Sequence, residues 1–285
     1  MMQVRARIAE IEEGLTPTER RLCATLMADY PFAGLDTIQT FADRTHTSPP
    51  TISRFVTKLG FNGYQDFQRT LIQEVRERKS SPIDLHQGNR TLQGGFLEDY
   101  FARAGTLLDE ASQTISEHQF ERICDMLRDE RRGIHIIGGR ISDALALYLS
   151  RHLRQIRGNV HKLSADPESW PEDLQRMKPP DVLFIVDFRR YQPSLLQLAK
   201  SASTDRSANV VLLTDKWMSP ILRHSTEVVA LPIESGTVWD SYAASLVLIE
   251  AMLTRIAEQD WNQAHQHISN WDSLRLDLKE IKNGP

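Results

Sequence analysis

A membrane-spanning run is the first thing this sequence lacks: no window approaches the roughly 18 consecutive apolar residues that a bilayer-crossing helix needs. The opening stretch MMQVRARIAEIEEGL is charged throughout and carries no apolar block of the secretion-signal kind. A cytoplasmic location without a membrane partner is therefore expected. Cysteine is nearly missing. Cys23 and Cys124 are the only two, far apart and without metal-ligand spacing, and both are expected as free thiols, at least half buried. The nine histidines are scattered. His265 and His267 stand two apart, which suits neither face of a helix for joint metal binding, and His135 falls inside an apolar run as a core residue. No metal, no cofactor and no catalytic set is expected. Repeats and low-complexity tracts are also missing, and 40% hydrophobic with 25% charged residues describes a globular chain.

A local absence says more. The net charge is −4, and residues 1–79 hold 11 Lys and Arg against 10 Asp and Glu. From Arg44 to Gln65 there are 22 residues without an acid, while Arg44, Arg54 and Lys58 supply positive charge. In an acid-rich chain such a window keeps a surface clear for an anion.

The first 77 or so residues read as helices. Thr16, Pro17 and Glu19 form a capping box ahead of Leu22, Leu26 and Met27, and Pro31 ends that helix. Asp36 is read as the cap of a short second helix carrying Ile38, Phe41 and Ala42. Ser48 and Pro49 open a third, whose Ile52, Phe55, Val56 and Leu59 repeat at i, i+3, i+4 and i+7 as a buried stripe, and Gly60 closes it. Tyr64, Phe67, Leu71 and Val75 mark one more. The segment from Lys79 to Gly95 mixes Ser, Pro, Gly, Asn and Gln without period and reads as a linker. Beyond it come two helical stretches, near Phe96–Thr114 and Glu117–Asp129. Short apolar strands then alternate with helices up to a long apolar helix read from Thr237 to Ala257. That order means a parallel sheet covered on both faces.

The two short helices match a helix-turn-helix in length and order. The inward stripe of the second leaves Thr51, Ser53, Arg54, Thr57 and Lys58 facing out, all hydroxyl or cationic. A recognition helix needs such a face to reach base edges and phosphates; an ordinary solvated helix face is the alternative. The run LTPTERRL…TIQTFADRTHTSPPTISRFVTKLGFNGYQDFQ closely resembles the N-terminal domain of RpiR-family bacterial transcription regulators. The family's S-x-x-T-(I/V)-x-R-F start of the recognition helix is present as Ser48, Thr51, Ile52, Arg54 and Phe55. Its K-L-G-F-x-G-(F/Y) continuation is present as Lys58, Leu59, Gly60, Phe61, Gly63 and Tyr64. The resemblance implies that Ser48, Thr51, Ser53, Arg54 and Lys58 sit on DNA, and Arg44 and Thr57 complete the candidate set. Thr45–His46 replaces the usual glycine of the inter-helix turn.

In that family the second domain is a sugar-isomerase (SIS) domain, a parallel αβα sandwich that senses phosphosugars, and residues from about 110 to 260 resemble it in strand-helix order. The fold expected is thus an all-α helix-turn-helix domain (1–78), a linker (79–95) and an α/β SIS-like domain (96–285). The family's G-x-G-x-S turn is matched by Gly138, Gly139, Ile141 and Ser142, with Arg140 in place of the second glycine. Its S-x-S-G-x-T loop is replaced by Asp187, Phe188, Arg189, Arg190, Tyr191 and Gln192, so the hydroxyl cradle is gone. Arg140, Arg189 and Arg190 stand instead at the carboxyl ends of strands, where open α/β sheets bind ligands, and arginine grips carboxylate or phosphate through a planar fork. One reading is an anionic metabolite held by Arg140 and Arg189 or Arg190, with Ser142 and Tyr191 assisting. The other is a structural network with Asp187, Asp215 or Asp240. Ser219, Asp240 and Ser241 lie near the expected pocket and are candidates both as helix caps and as ligand contacts. The expected protein is an operator-binding regulator, dimeric or tetrameric, responsive to a sugar phosphate or carboxylate. A phosphosugar-isomerase-like enzyme on the same fold is the alternative, disfavoured by the missing hydroxyls.

Overall fold

The computed structural model describes residues 4–11, 14–28, 30–79 and 95–282. The chain forms two compact units, Met1–Ser80 and Ser81–Pro285. Most of the expected linker lies outside the described residues.

The first unit is helical: α1 (Val4–Ile11), α2 (Pro17–Ala28), α3 (Ile38–Arg44), α4 (Pro49–Lys58) and α5 (Tyr64–Lys79). The capping box forms as the sequence dictates, with Thr16 N donating to Glu19 Oε2 (2.8 Å) and Glu19 N to Thr16 Oγ1 (3.3 Å). Leu22, Leu26, Phe41, Ile52, Phe55, Val56, Phe67 and Leu71 meet in one core. Gly34 is required there, because a Cβ on it would come 2.4 Å from Leu71 Cδ1. Glu74, on the inward side of α5, is buried and accepts from Val4 N (2.9 Å) and the Tyr30 hydroxyl. One correction concerns α3: its N-cap is Thr37, whose hydroxyl accepts from Thr40 N, and not Asp36.

The second unit begins with α6 (Phe96–Ser112) and α7 (Glu117–Arg128), followed by β1 (Ile134–Gly138), α8 (Asp143–Ile156), β2 (Val160–Lys162), α9 (Trp170–Arg176), β3 (Val182–Val186), α10 (Pro193–Arg206), β4 (Asn209–Asp215), β5 (Glu227–Leu231), α11 (Ala243–Gln259) and α12 (Trp261–Lys282). The five strands are parallel in the order β2-β1-β3-β4-β5. Alternate side chains divide between two faces. Ile136, Phe184 and Leu213 pack toward α7, α8 and α11, while Leu183, Ile185 and Leu212 pack toward α10. Both cysteines are buried, and burial pushes the Cys124 thiol up to about 12. His135 is a core residue, its Nε2 3.6 Å from Asp181 Oδ2, and burial lowers its pKa.

Two boundaries differ from expectation. The long helix starts at Ala243, because Thr237–Tyr242 form a loop in which Ser235 Oγ and Thr237 Oγ1 both donate to Trp239 O (2.8 and 2.9 Å). The stretch after Ser219 is a short 3-10 turn, Pro220–His224. Among the described residues no helix is long and apolar enough to cross a membrane.

Candidate nucleic-acid interface and ligand crevice

In the first unit the geometry is set by two turns of the same design. After α3, His46 adopts φ 50, Thr47 N donates to Ala42 O (2.9 Å) and His46 N to Asp43 O (3.2 Å). This is a Schellman closure with histidine in the left-handed position that glycine favours. After α4 the same pattern recurs with Gly60 at φ 80, Phe61 N to Val56 O (3.2 Å) and Gly60 N to Thr57 O (2.9 Å). Arg7 adds to that cap from α1, its Nη1 reaching Leu59 O (3.0 Å) and Gly60 O (2.8 Å).

Between the turns, α4 buries Ile52, Phe55 and Val56 and exposes Arg54, Thr57 and Lys58, with Thr51 and Ser53 half-buried beside them. Ser48 is the N-cap by position, but its hydroxyl meets Thr51 Oγ1 (2.9 Å) instead of a backbone N–H. Thr57 Oγ1 donates to Ser53 O (3.0 Å). Two of the candidate cations are engaged internally: Arg44 with Asp36 (2.7 Å), and Lys58 with Glu19 (2.9 Å) and Gly14 O (2.8 Å). Arg54 stands on the exposed face.

In the second unit the strand order reverses between β1 and β3. That is the topological switch point, whose carboxyl side forms a ligand crevice in open α/β sheets. Gly138–Ser142 leave β1 on one side of it, and Asp187–Gln192 leave β3 on the other. Ser142 is buried and ties the two loops together, its hydroxyl donating to Val186 O (2.7 Å) and accepting from Gly139 N (2.9 Å). Gly139 packs so closely that a Cβ would lie 3.2 Å from both Ser142 Oγ and Gln192 Oε1.

The three arginines separate. Arg189 turns inward, its side chain 3% exposed, with a guanidinium nitrogen 3.1 Å from Asp240 Oδ1 and 3.7 Å from Glu234 Oε1. The same group lies 4.1 Å over the Trp217 ring. Arg140 and Arg190 are exposed, one on each loop beside the switch point, and Arg190 holds φ 69. The acids are engaged: Asp187 accepts from the Ser219 hydroxyl, and Asp215 accepts from Tyr191 OH, Arg189 N and Trp217 N. Burial raises the pKa of Asp215 despite these donors. Asp240 is pushed up to about 6, first by burial, with Arg189 pulling down and Asp215 and Glu234 pushing up. Ser241 is buried in the loop ahead of α11, its N bonded to Ile233 O (2.8 Å). Sequence reading gave no role to Glu234, Lys216, Trp217 as a ring partner, or the Gln192 side chain. The signal for Glu234, Lys216 and Trp217 was their position shortly past a strand end, whereas Gln192, at the start of α10, gave none.

Comparison with known proteins matches both units. Residues 2–78 fit the model described as a helix-turn-helix domain of the rpiR family, and residues 126–255 fit the SIS domain model. An uncharacterized HTH-type transcriptional regulator of Thermotoga maritima is 22% identical over 286 residues, 99% of this chain and 100% of its own. The HTH-type transcriptional regulator HexR of Escherichia coli is 24% identical over 270 residues, covering 89% of this chain and 87% of its own. Among solved structures, the sugar isomerase domain of an RpiR transcription factor from Sphaerobacter thermophilus covers 62% of this chain and 98% of its own, at 17% identity and TM-score 0.58. Vibrio vulnificus NanR, complexed with ManNAc-6P, covers 97% and 99% at 18% identity and TM-score 0.55.

Proposed function

The chain belongs to the RpiR family of helix-turn-helix transcriptional regulators that carry a SIS domain, and on that premise we propose how its two units share the work. The exposed face of α4, with Ser48, Thr51, Ser53, Arg54, Thr57 and Lys58, reads operator DNA, and Arg44 supports it from the end of α3. The crevice between β1 and β3 takes an anionic small metabolite, a sugar phosphate or a carboxylate. The observation that carries this is the pair of exposed guanidiniums, Arg140 and Arg190, on the two loops flanking the switch point. NanR, of the same fold, holds a sugar phosphate, which supports the ligand class. Gly138, Gly139, Ser142, Asp187, Tyr191, Ser219, Asp240 and Ser241 shape the walls, and Arg189 braces them through Asp240.

The reading includes a homodimer or homotetramer, because one recognition helix gives too little specificity and two-fold proteins read paired half-sites. The apolar residues exposed on α6 (Leu97, Phe101, Leu108) and Val247 on α11 are the contact surface we assign to it. The protein is a regulator and not an isomerase on this reading: the relatives are named as regulators, and the carboxylates of the sheet edge are occupied by internal donors.

Calorimetric titration of sugar phosphates and small carboxylic acids into the full chain tests the crevice. A hit is expected, lost in Arg140→Ala and Arg190→Ala and changing affinity for an operator selected from random duplexes. A silent panel with operator binding intact would leave a DNA-binding oligomer without this ligand. Steady turnover of a sugar phosphate would establish the enzyme instead.

A further inference from the structure

We propose that the side chain of Gln192 is a built-in stopper of the crevice. Its carboxamide oxygen occupies, in the unliganded protein, the place that an oxygen of the anion takes on binding. The inference rests on the anion reading of this crevice and adds the residue that selects charge.

The end of β1 and the loop after it present three consecutive backbone N–H groups. Gly138 N is held by Asp143 Oδ1 (3.0 Å), and Gly139 N by Val186 O and Ser142 Oγ (2.9 Å each). Those acceptors belong to the framework of strand, turn and helix start. The third, Arg140 N, donates across the crevice to Gln192 Oε1 at 3.0 Å. The donor fixes which end of the carboxamide points inward, since an N–H requires the oxygen. The same oxygen presses against Gly139, 3.2 Å from where a Cβ would be. It therefore lies between the loops that carry Arg140 and Arg190 and links them.

Among the described residues, that carboxamide supports no helix cap and its hydrogen bond is the one to Arg140 N. Gln192 is the N-cap of α10 through its backbone carbonyl, which accepts from Leu195 N (3.1 Å) and Leu196 N (3.3 Å), and its side chain makes no capping bond. The side chain is half-buried and can swing toward water while α10 stays in place. An entering neutral hydroxyl would replace one neutral hydrogen bond by another and gain little. An entering phosphate or carboxylate oxygen would form a charge-assisted bond to the same N–H, roughly twice as strong, beside two guanidiniums. The exchange thus favours anions over neutral sugars.

The test titrates inorganic phosphate and a neutral hexose into wild type, Gln192→Ala, Gln192→Asn and Gln192→Glu, read by tryptophan fluorescence and by the Arg140 backbone amide in NMR. Removing the competitor is expected to tighten phosphate binding by about 2- to 12-fold, the worth of one neutral hydrogen bond. Gln192→Asn, too short to span the crevice, should behave as Gln192→Ala and serves if the alanine variant folds poorly. Gln192→Glu tethers a competing carboxylate and should weaken phosphate at least several-fold. Phosphate should move the Arg140 amide in wild type, and the hexose should not. Equal phosphate affinity in wild type, alanine and asparagine variants, with binding lost in Arg190→Ala, overturns the stopper and leaves the anion crevice standing. No phosphate binding to wild type or any variant overturns both.

Discussion

Arg189 and Asp240 meet 3.1 Å apart at the carboxyl edge of the sheet, joining the loop after β3 to the loop before α11. The pair is nearly dry on the arginine side, and the guanidinium is shared with the Trp217 ring and Glu234. A single contact to a shared guanidinium does not repay burial of the carboxylate, which is why the Asp240 pKa rises to about 6 from its ordinary 3.8. A raised acid pKa means that the folded state holds the proton more tightly than the unfolded one. The stability contributed by this group is then full at low pH and falls as pH rises through the interval from 3.8 to about 6. Thermal melts of wild type and Asp240→Asn should show a difference that shifts in favour of the variant across that interval and levels off above it. A difference independent of pH would mean that Asp240 does not titrate there.

Tyr191 can be tested apart from ligand binding. Its hydroxyl donates to Asp215, a fully buried carboxylate whose other donors are the backbone N–H groups of Arg189 and Trp217. Tyr191→Phe takes one donor away from that buried acceptor, which costs about 1–3 kcal/mol. The melting temperature should drop by several degrees. If the loss appears with unchanged effector affinity, Tyr191 is a positioning residue of the wall; a lost affinity with unchanged stability would place it on the ligand.

Much of this architecture is written locally. The strands are short apolar runs bounded by turn residues, and α4 shows its stripe because its partners lie within the same small bundle. The missed parts depend on distant partners or on misleading composition. Thr237–Tyr242 resembles α11 in apolarity, yet the Ser235 and Thr237 hydroxyls close it into a loop. Helix α12 has a stripe of Trp261, Ala264 and Ile268 diluted by Asn, Gln and His, and its cap, Asp260, which accepts from Gln263 N (3.2 Å), follows α11 directly, so the break between the two helices is masked. In the crevice, Arg140, Arg189 and Arg190 look alike in sequence. Only the arrival of Trp217 and Asp240, from two later segments, buries one and leaves the others exposed. Gln192 carries no chemistry of its own, so nothing short of the fold shows what its oxygen touches.

On the recognition helix, Arg54 and Lys58 should differ. Lys58 is held by Glu19 and by Gly14 O, a surface arrangement worth at most about 1 kcal/mol, so it must exchange partners to meet a phosphate. Arg54 is exposed on the same face without that tether to α2. Arg54→Ala should lose about 1–3 kcal/mol of operator affinity and relax specificity at one position. Lys58→Ala should weaken selected and random duplexes alike and lower the salt slope by about 1. Binding isotherms at several salt concentrations read both quantities. Equal, sequence-independent losses for the two would remove base reading from Arg54.

The turn between α3 and α4 offers a last test, because it sets how the recognition helix is presented. His46 occupies the left-handed position with φ 50, where a Cβ is crowded against its own backbone. The adjoining bonds, Thr47 N to Ala42 O and His46 N to Asp43 O, need only backbone and survive any side chain that tolerates this conformation. Histidine pays a moderate strain, a β-branched residue pays more, and glycine almost none. His46→Gly should therefore leave stability equal or higher by up to about 1 kcal/mol, the gain being trimmed by the larger entropy of the unfolded chain. His46→Val should lose more than about 1 kcal/mol, since a branched Cβ is a genuine outlier at positive φ. Denaturant melts of the full chain, followed by far-UV circular dichroism, measure both. If valine is tolerated as well as glycine, the left-handed turn is not the closure of α3 in solution, and the presentation of α4 rests on its core stripe alone.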